Sequence, residues 1–401
     1  MASVPNDYVY LDYAATAPLC EEAAEAMAPY QVPGRANLAV GGNANSLHGP
    51  GRAAFAALEE ARRSIARDLG ARRPDGIVFT SGATEADDAA LLGIAQAAAD
   101  ERRRRGAGDF VPHVVVTAVE HDAVLAPAKR LESQGFRVTR LAPNRQGFIE
   151  ERALEAALDA DTVLVSVQAA NSEVGSIQPI ADLARVAHDH AALFHTDAVQ
   201  ALGKARVNLQ ELDVDAASFS AHKVGGPKGV GALYLRARTP FHAYAIGGGQ
   251  EGGRRSGTQN VAGIVGFAAA VHAATAMQEA EAARLRVLRD RLYERLGAID
   301  AVEATVDAAP GSEDFLPNIV HVLVDGLESE TLILRFDMQG FGVSGGSACS
   351  SHSLEPSHVL RSLGIDADRA HGALRISMGR YTDEADVEAF AVAMEKSLNW
   401  N

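Results

Sequence analysis

Among the 401 residues, side chains suited to covalent chemistry are few: five lysines, at positions 129, 204, 223, 228 and 396, and two cysteines, Cys20 and Cys349. Lys223 has the most informative surroundings. It follows Ser218-Phe219-Ser220-Ala221-His222 and precedes Val224-Gly225-Gly226-Pro227-Lys228-Gly229. It therefore leaves an apolar strand and enters a rigid Gly-Pro turn, where strand ends build ligand sites in α/β sheets. A primary amine there suits a Schiff base with an aldehyde cofactor; a plain surface lysine in a turn fits this segment equally well. Asp197, in His195-Thr196-Asp197-Ala198-Val199-Gln200, ends another apolar run. Its carboxylate would accept a hydrogen bond from a protonated ring nitrogen, or cap a following helix. Phe79-Thr80-Ser81-Gly82-Ala83-Thr84-Glu85 joins a strand to a glycine turn and a helix start. Its N–H groups and hydroxyls would make an anion pocket, and a capping box on Ser81 explains part of the same pattern. Cys349 lies in Val343-Ser344-Gly345-Gly346-Ser347-Ala348-Cys349-Ser350-Ser351-His352. Small polar neighbours leave its thiol accessible, and a mobile loop could carry it to a substrate. Cys20, at the start of an Ala-rich helix, reads as structural.

Those segments need a scaffold. With 47% hydrophobic and 22% charged residues the composition is globular, with enough apolar material for a large core, and two domains are expected. The 52 acidic and 37 basic residues leave a net charge of −15, which opposes a nonspecific grip on nucleic acid or an anionic membrane. The Arg102 to Arg105 run then reads as a solvated helix end. The N-terminus lacks the basic and apolar pattern of an export signal. Val261 to Ala276, interrupted by Gly263, Gly266 and His272, is expected to be too short to cross a bilayer. The expected location is the cytoplasm, where two thiols stay reduced. His188, His190 and His195 lack zinc-site spacing, so no metal is expected. Neither Gly247 to Glu251 nor Arg254 to Thr258 matches a dinucleotide fingerprint or a P-loop.

From about residue 50 to 240, amphipathic helical stretches alternate with β-branched runs, the order of a sheet covered by helices on both faces. A helix is expected over residues 51–69. Strands are expected at Ile77–Thr80, Val114–Thr117, Arg137–Leu141, Thr162–Ser166, Leu193–His195, Ala217–Phe219 and Gly231–Leu235. A long helix from Val261 to about Leu296 then changes from apolar to charged, and a smaller α/β unit follows: a strand at Asn318–Val324, a helix at Ser329–Met338, a strand from Gly340 toward Cys349 and a last strand at Ala373–Met378.

Taken in order, these segments resemble the cysteine desulfurases of the NifS and IscS type, in the class V branch of the fold-type I aminotransferases. The resemblance covers nearly the whole chain. Its motifs are Tyr10-Leu11-Asp12-Tyr13-Ala14-Ala15-Thr16, Asn45-Ser46-Leu47-His48, Thr80 to Glu85, Glu120-His121-Asp122-Ala123-Val124, the Asp197 and Lys223 segments, Arg255-Ser256-Gly257-Thr258, Gly346 to Ser351 and Leu354 to Leu360. It implies a large pyridoxal-phosphate-binding domain over 16–262, with a mostly parallel seven-stranded sheet between helices. A small α/β domain would comprise 1–15 and 263–401 and carry the cysteine loop. By the same resemblance Lys223 would hold pyridoxal 5'-phosphate, His121 would stack on its ring and move protons, Asp197 would pair with the ring nitrogen and Gln200 would reach the ring hydroxyl. Thr84, Ser220 and His222 would hold the phosphate, together with Thr258 from the other subunit of a homodimer, and Ala83 and Ser172 would also touch the cofactor. Arg375 and Asn171 would bind the substrate. L-Cysteine would become L-alanine, its sulfur passing to Cys349 as a persulfide and on to an acceptor protein for iron–sulfur assembly or for tRNA or DNA thiolation, without direct contact with nucleic acid or membrane.

The chain departs from the family pattern at Asn171-Ser172-Glu173, where two asparagines usually precede the glutamate; serine is shorter and loses the amide donor. Ala44-Asn45 replaces the usual Pro-Ser, and Gly252 stands where many members carry Arg. The cysteine loop looks like that of the first desulfurase group. Two other functions compete: a selenocysteine lyase or other class V enzyme with the same cofactor, and a silent scaffold for a sulfur-transfer partner, motivated by Ser172.

Overall fold

The computed structural model describes residues 7–106, 110–345 and 356–399. In chain order its strands are β1 (Val9–Tyr10), β2 (Ile77–Thr80), β3 (His113–Thr117), β4 (Arg137–Leu141), β5 (Thr162–Ser166), β6 (Leu193–Asp197), β7 (Ala216–Ser220), β8 (Gly231–Leu235), β9 (Val302–Ala304), β10 (Ile319–Val324), β11 (Phe341–Gly342) and β12 (Ala373–Ser377). Seven of them form one sheet in the order β2-β8-β7-β6-β5-β3-β4. β8 alone runs against its neighbours, and the links β7-β6, β6-β5, β5-β3 and β3-β4 are parallel. Runs such as Val114-Val115-Val116 and Val163-Leu164-Val165 are buried along their whole length, as expected of parallel strands covered on both faces.

The helix Gly49–Asp68 places Leu58 and Ile65 against Phe194 and Phe219 on one face of this sheet. On the other face, Leu91 and Ile94 meet Val124 and Leu131 of the helix Asp122–Ser133. A third core gathers Leu11, Val320, Val322, Leu374 and Ile376 with Phe336 and Phe390. It lies on the antiparallel sheet β12-β10-β9 and the short parallel pair β1-β11.

The helix Val261–Gly297 serves both regions over its 37 residues. Its first part buries Ile264, Phe267 and Val271 in the large core, and its last part buries Leu285, Leu292 and Leu296 in the small one. By length and composition alone this helix is long and apolar enough to cross a membrane, but its apolar side chains are those that pack in the two cores. The interruption expected at Gly263 and Gly266 does not occur. Those glycines are close-approach points: a Cβ on Gly263 would lie 2.6 Å from Val230, and one on Gly266 2.5 Å from Met27.

The C-terminal ends of β2, β3, β5, β6 and β7 lie on one edge of the main sheet, where such folds place their ligands. There β8 starts beside the end of β2, with Thr80 opposite Gly231. A Cβ on Gly231 would sit 2.6 Å from the Gly82 carbonyl carbon and 2.6 Å from the Phe219 oxygen. Gly231→Ala should therefore destabilise the fold by about 1–3 kcal/mol in urea unfolding. Gly297→Ala, where no atom outside the helix lies within 4 Å, should stabilise it by at most about 1 kcal/mol. Equal unfolding midpoints for the two variants would refute this packing.

Candidate active site

The sheet edge opens into a cavity of about 490 Å³, within the range of small-molecule sites. Ala83, Thr84, His121, Ser172, Asp197, Gln200, Ser220, His222, Lys223 and Arg375 all line it, although they come from six separate stretches of chain. Ala14 to Thr16 closes another wall. Two residues of the expected site lie elsewhere. Thr258 is exposed and outside the cavity lining of this chain. Asn171 is buried and faces a turn: its Oδ1 accepts from the N–H groups of Glu173 and Val174, and its Nδ2 donates to the Val119 carbonyl. Cys349 lies outside the described residues.

Lys223 follows β7 in a short 3₁₀ turn. Its Nζ donates to the carbonyls of Ala14 at 2.6 Å and Ala15 at 2.8 Å. His222 beside it bonds through Nδ1 to Thr16 Oγ1. Burial and the neighbouring lysines push the His222 imidazole down to about 4, so it is neutral at pH 7. A smaller cavity of about 120 Å³ lies against the other side of this turn, walled mainly by apolar groups such as Leu202, Ala274 and Met277. Lys204 on its wall donates to the Lys223 carbonyl and is pushed down to about 7, chiefly by burial.

The anion loop is built from Ser81 to Thr84 at the start of the helical stretch 83–104. Glu85 accepts from the Ser81 N–H at 2.7 Å and from Arg255 at 2.7 and 3.1 Å. Burial works against the Glu85 carboxylate, but these hydrogen bonds outweigh it and hold its pKa below the usual range. The capping expected here thus takes a different form, with the side chain of Glu85 receiving the Ser81 main chain. Arg255 ties the segment before Thr258 to the anion loop. A second tie is the buried fork of Arg62 on Glu251, at 2.6 and 3.0 Å, whose Oε2 also accepts from the Phe79 N–H.

Asp197 ends β6 and accepts from the Val199 N–H at 2.9 Å. Gln200 donates to the Ala14 carbonyl, leaving its buried Oε1 without a partner. His121 caps the helix Asp122–Ser133, its Nδ1 accepting from the Ala123 N–H. In the neutral ring that bond places the proton on Nε2. On the opposite wall, Arg375 of β12 gives Nη2 to Asp12 and Nη1 to the Ser172 carbonyl, each at 2.9 Å, while its Nε is buried without an acceptor. Position 172 therefore meets Arg375 through its main chain, a contact available to serine and asparagine alike. Ser344, ahead of the Cys349 segment in sequence, bridges to Arg375, and Ser357 and His358 follow that segment. Ser357 donates to Glu173, and His358 bonds the Glu120 carbonyl next to His121.

Reading the sequence for chemistry had overlooked Asp12, Asp87 and the carbonyls of Ala14 and Ala15. The Tyr10 to Thr16 motif marked the first and last of these without indicating what they do.

Glu120 is fully buried; its Oε1 accepts from Thr117 Oγ1 and the Gln168 N–H, and its Oε2 has no partner. Burial raises its pKa to about 8. Because the folded value exceeds the unfolded value of about 4.3, the native state keeps this proton longer. The Glu120 contribution to stability is therefore fully present below the unfolded value and is lost as pH rises toward about 8. Glu120→Gln should flatten that fall, so that variant and wild type diverge by up to about tenfold in folding equilibrium constant per pH unit. Parallel stability curves between pH 5 and 8 would contradict a protonated Glu120.

Comparison with known proteins agrees with this geometry. The family described as aminotransferase class-V matches residues 9–390. The cysteine desulfurase IscS of Dictyoglomus turgidum is 42% identical over 390 residues, covering 97% of this chain and 94% of that protein. A solved structure titled NifS-like protein superposes with a TM-score of 0.87 at 36% identity, covering 98% of this chain and all of the other. Another, titled SspA in complex with cysteine, superposes at 0.76 with 32% identity over 94% of this chain and all of that one. The chain belongs to the class V aminotransferase family, among its cysteine desulfurases.

Proposed function

We infer that this chain is a pyridoxal-phosphate-dependent cysteine desulfurase, converting L-cysteine to L-alanine and passing the sulfur through Cys349 to an acceptor. The observation that carries the reading is one cavity uniting Lys223, Asp197 and Arg375, on a chain whose relatives at 41–42% identity are cysteine desulfurases. The side chains present suit the cofactor. An amine, a buried carboxylate, an unpartnered Gln200 Oε1 and a helix start with Ser220 and His222 nearby match an aldehyde, a ring nitrogen, a ring hydroxyl and a phosphate.

Lys223 would hold the cofactor, Asp197 its ring nitrogen, and Ala83, Thr84, Ser220 and His222 its phosphate. Ser172 would contact it from the opposite wall. Bound there, pyridoxal 5'-phosphate supplies a sink for the electron pair left on the substrate Cα. Arg375 would take the substrate carboxylate through Nε, the guanidinium nitrogen without an acceptor. The Lys223 amine, freed by the incoming substrate amine, would remove the Cα proton, with His121 Nε2 available for proton exchange. The Cys349 thiolate would attack the substrate sulfur. The Cβ–S bond breaks with its electron pair going to Cβ, the sulfur stays on Cys349 as a persulfide, and the protonated three-carbon product leaves as L-alanine. No oxidant is consumed in this step.

The same reading divides the chain into domains at 16–262 and at 1–15 with 263–401. It makes the enzyme a cytoplasmic homodimer, with Thr258 of the partner subunit completing the phosphate site. Thr258 is exposed here, and Leu47 and Ile246 are each 89% exposed, on loops joined through the hydrogen bond from Asn45 to Gln259. These features suit a face covered by a second copy. The acceptor would be an iron–sulfur scaffold or a thiolation protein.

Incubation with L-cysteine should yield alanine and persulfide-plus-sulfide in equal amounts. Cys349→Ala should abolish sulfur transfer and keep the cofactor absorbance. Full cysteine turnover by that variant would instead indicate a selenocysteine lyase or another class V reaction. Arg375→Lys, which loses the planar fork, should raise KM by about tenfold or more; an unchanged KM would remove Arg375 from substrate binding.

A further inference from the structure

Asp87 is a buried acid that the proposed mechanism leaves unused. It is 1% exposed and lines the same cavity as Asp197; neither of its carboxyl oxygens makes a well-formed hydrogen bond, and the nearby Ser218 hydroxyl favours its charge less than burial and Asp197 oppose it. Among the described residues no lysine or arginine forms an ion pair with it. His195 Nε2 lies 3.6 Å from Asp87 Oδ1. That ring sits between two serines, Nδ1 bonding Ser166 Oγ at 2.8 Å and Nε2 bonding Ser218 Oγ at 3.0 Å. Burial drives the imidazole down to about 3, so His195 is neutral and offers Asp87 no charge. The other titratable groups acting on Asp87, namely Asp197, Glu120 and Asp88, are all acids. A carboxylate desolvated among like charges and without a cation keeps its proton, as paired active-site acids do. Burial raises the pKa of Asp197 too, but its setting differs: it accepts the Val199 N–H, and His121 and Lys223 favour its charge.

We infer that Asp87 is held as a neutral carboxylic acid on the cavity wall, a positioning residue that leaves Asp197 as the single ionised acid available to a cationic ring nitrogen. This rests on the proposed cofactor only in its second half; the protonation of Asp87 follows from the wall itself. With Asp87 neutral, one negative charge faces one positive charge. Were both acids ionised, the floor would carry an excess negative charge in a desolvated site and the two carboxylates would repel.

Infrared spectra of protein carrying ¹³C-labelled aspartate test the inference at pH 7.5, in cofactor-free and cofactor-loaded forms. The expected result is an isotope-shifted carbonyl band of a protonated carboxylic acid in both forms of the wild type, lost in Asp87→Asn. Labelling only aspartate removes any contribution from Glu120. The wild-type band needs no variant, so a poorly folding substitution leaves the test intact. Asp87→Asn, a neutral near-isostere, should retain pyridoxal phosphate within about twofold of wild type on dialysis, while Asp197→Asn releases it. Absence of the band in wild type, or a band unchanged in Asp87→Asn, would overturn the protonation. Cofactor loss from Asp87→Asn matching that of Asp197→Asn would make Asp87 the ring's own partner and overturn the positioning role. If the wild type itself failed to take up pyridoxal phosphate, the functional reading would fall, and the cofactor-free spectra would still decide the state of Asp87.

Discussion

The amine of Lys223 ends on two main-chain carbonyls, those of Ala14 and Ala15, and the rest of the site is organised around that docking. An amine withdrawn from water needs acceptors, and here they come from a segment rooted in the other core. β1 pairs with β11, Leu11 is buried among small-core residues, and Asp12 holds Arg375. The lysine at the end of a main-sheet strand and the arginine on a small-sheet strand are thus held in register through one short stretch, residues 9–16. A change in that stretch would be felt by both the cofactor-binding and the substrate-binding sides of the cavity.

Charge is distributed unevenly around the cavity. In the loops that frame it, charges are paired and forked: Glu85 with Arg255, and Glu251 with Arg62. The Glu251–Arg62 pair is buried and the Glu85–Arg255 pair partly so; the Coulomb attraction of such pairs is offset by desolvation, and their forked geometry fixes one arrangement of the loops. By contrast, Asp87 and Asp197, which line the cavity, and Glu120, which acts on both from outside its lining, are acids whose pKa values burial raises. A cationic ring bound there would meet acids already stripped of water, where electrostatic interactions are strong.

Much of the main sheet could be read from local pattern, because fully buried parallel strands are short β-branched runs and little else in this sequence looks like them. The ends were less visible. Leu193–His195 extends to Asp197 and Ala217–Phe219 to Ser220, and those last residues, polar for the sake of the site, break the apolar pattern that reveals a strand. Gly263 and Gly266 looked like interruptions, yet both allow close approach within one continuous helix. The segments bearing Lys223, Asp197 and Thr84 could be picked out because each couples a strand end to a turn. Asp12 and Asp87 could not. Asp12 meets Arg375 across 363 positions, and Asp87 is distinguished only by what surrounds it in space. Ser172 looked like a loss by its side chain, while its contact with Arg375 is made by a carbonyl that the side chain does not alter.

The central claim is that Lys223 is the residue on which the cofactor is held. Borohydride reduction of pyridoxal-phosphate-loaded protein, followed by proteolysis and mass mapping, tests it most directly. The account predicts a phosphopyridoxyl mass on the peptide containing Lys223 alone, with Lys129, Lys204, Lys228 and Lys396 unmodified at stoichiometric loading. A label on Lys204 or Lys228 in place of Lys223, or no stable label at all, would contradict it.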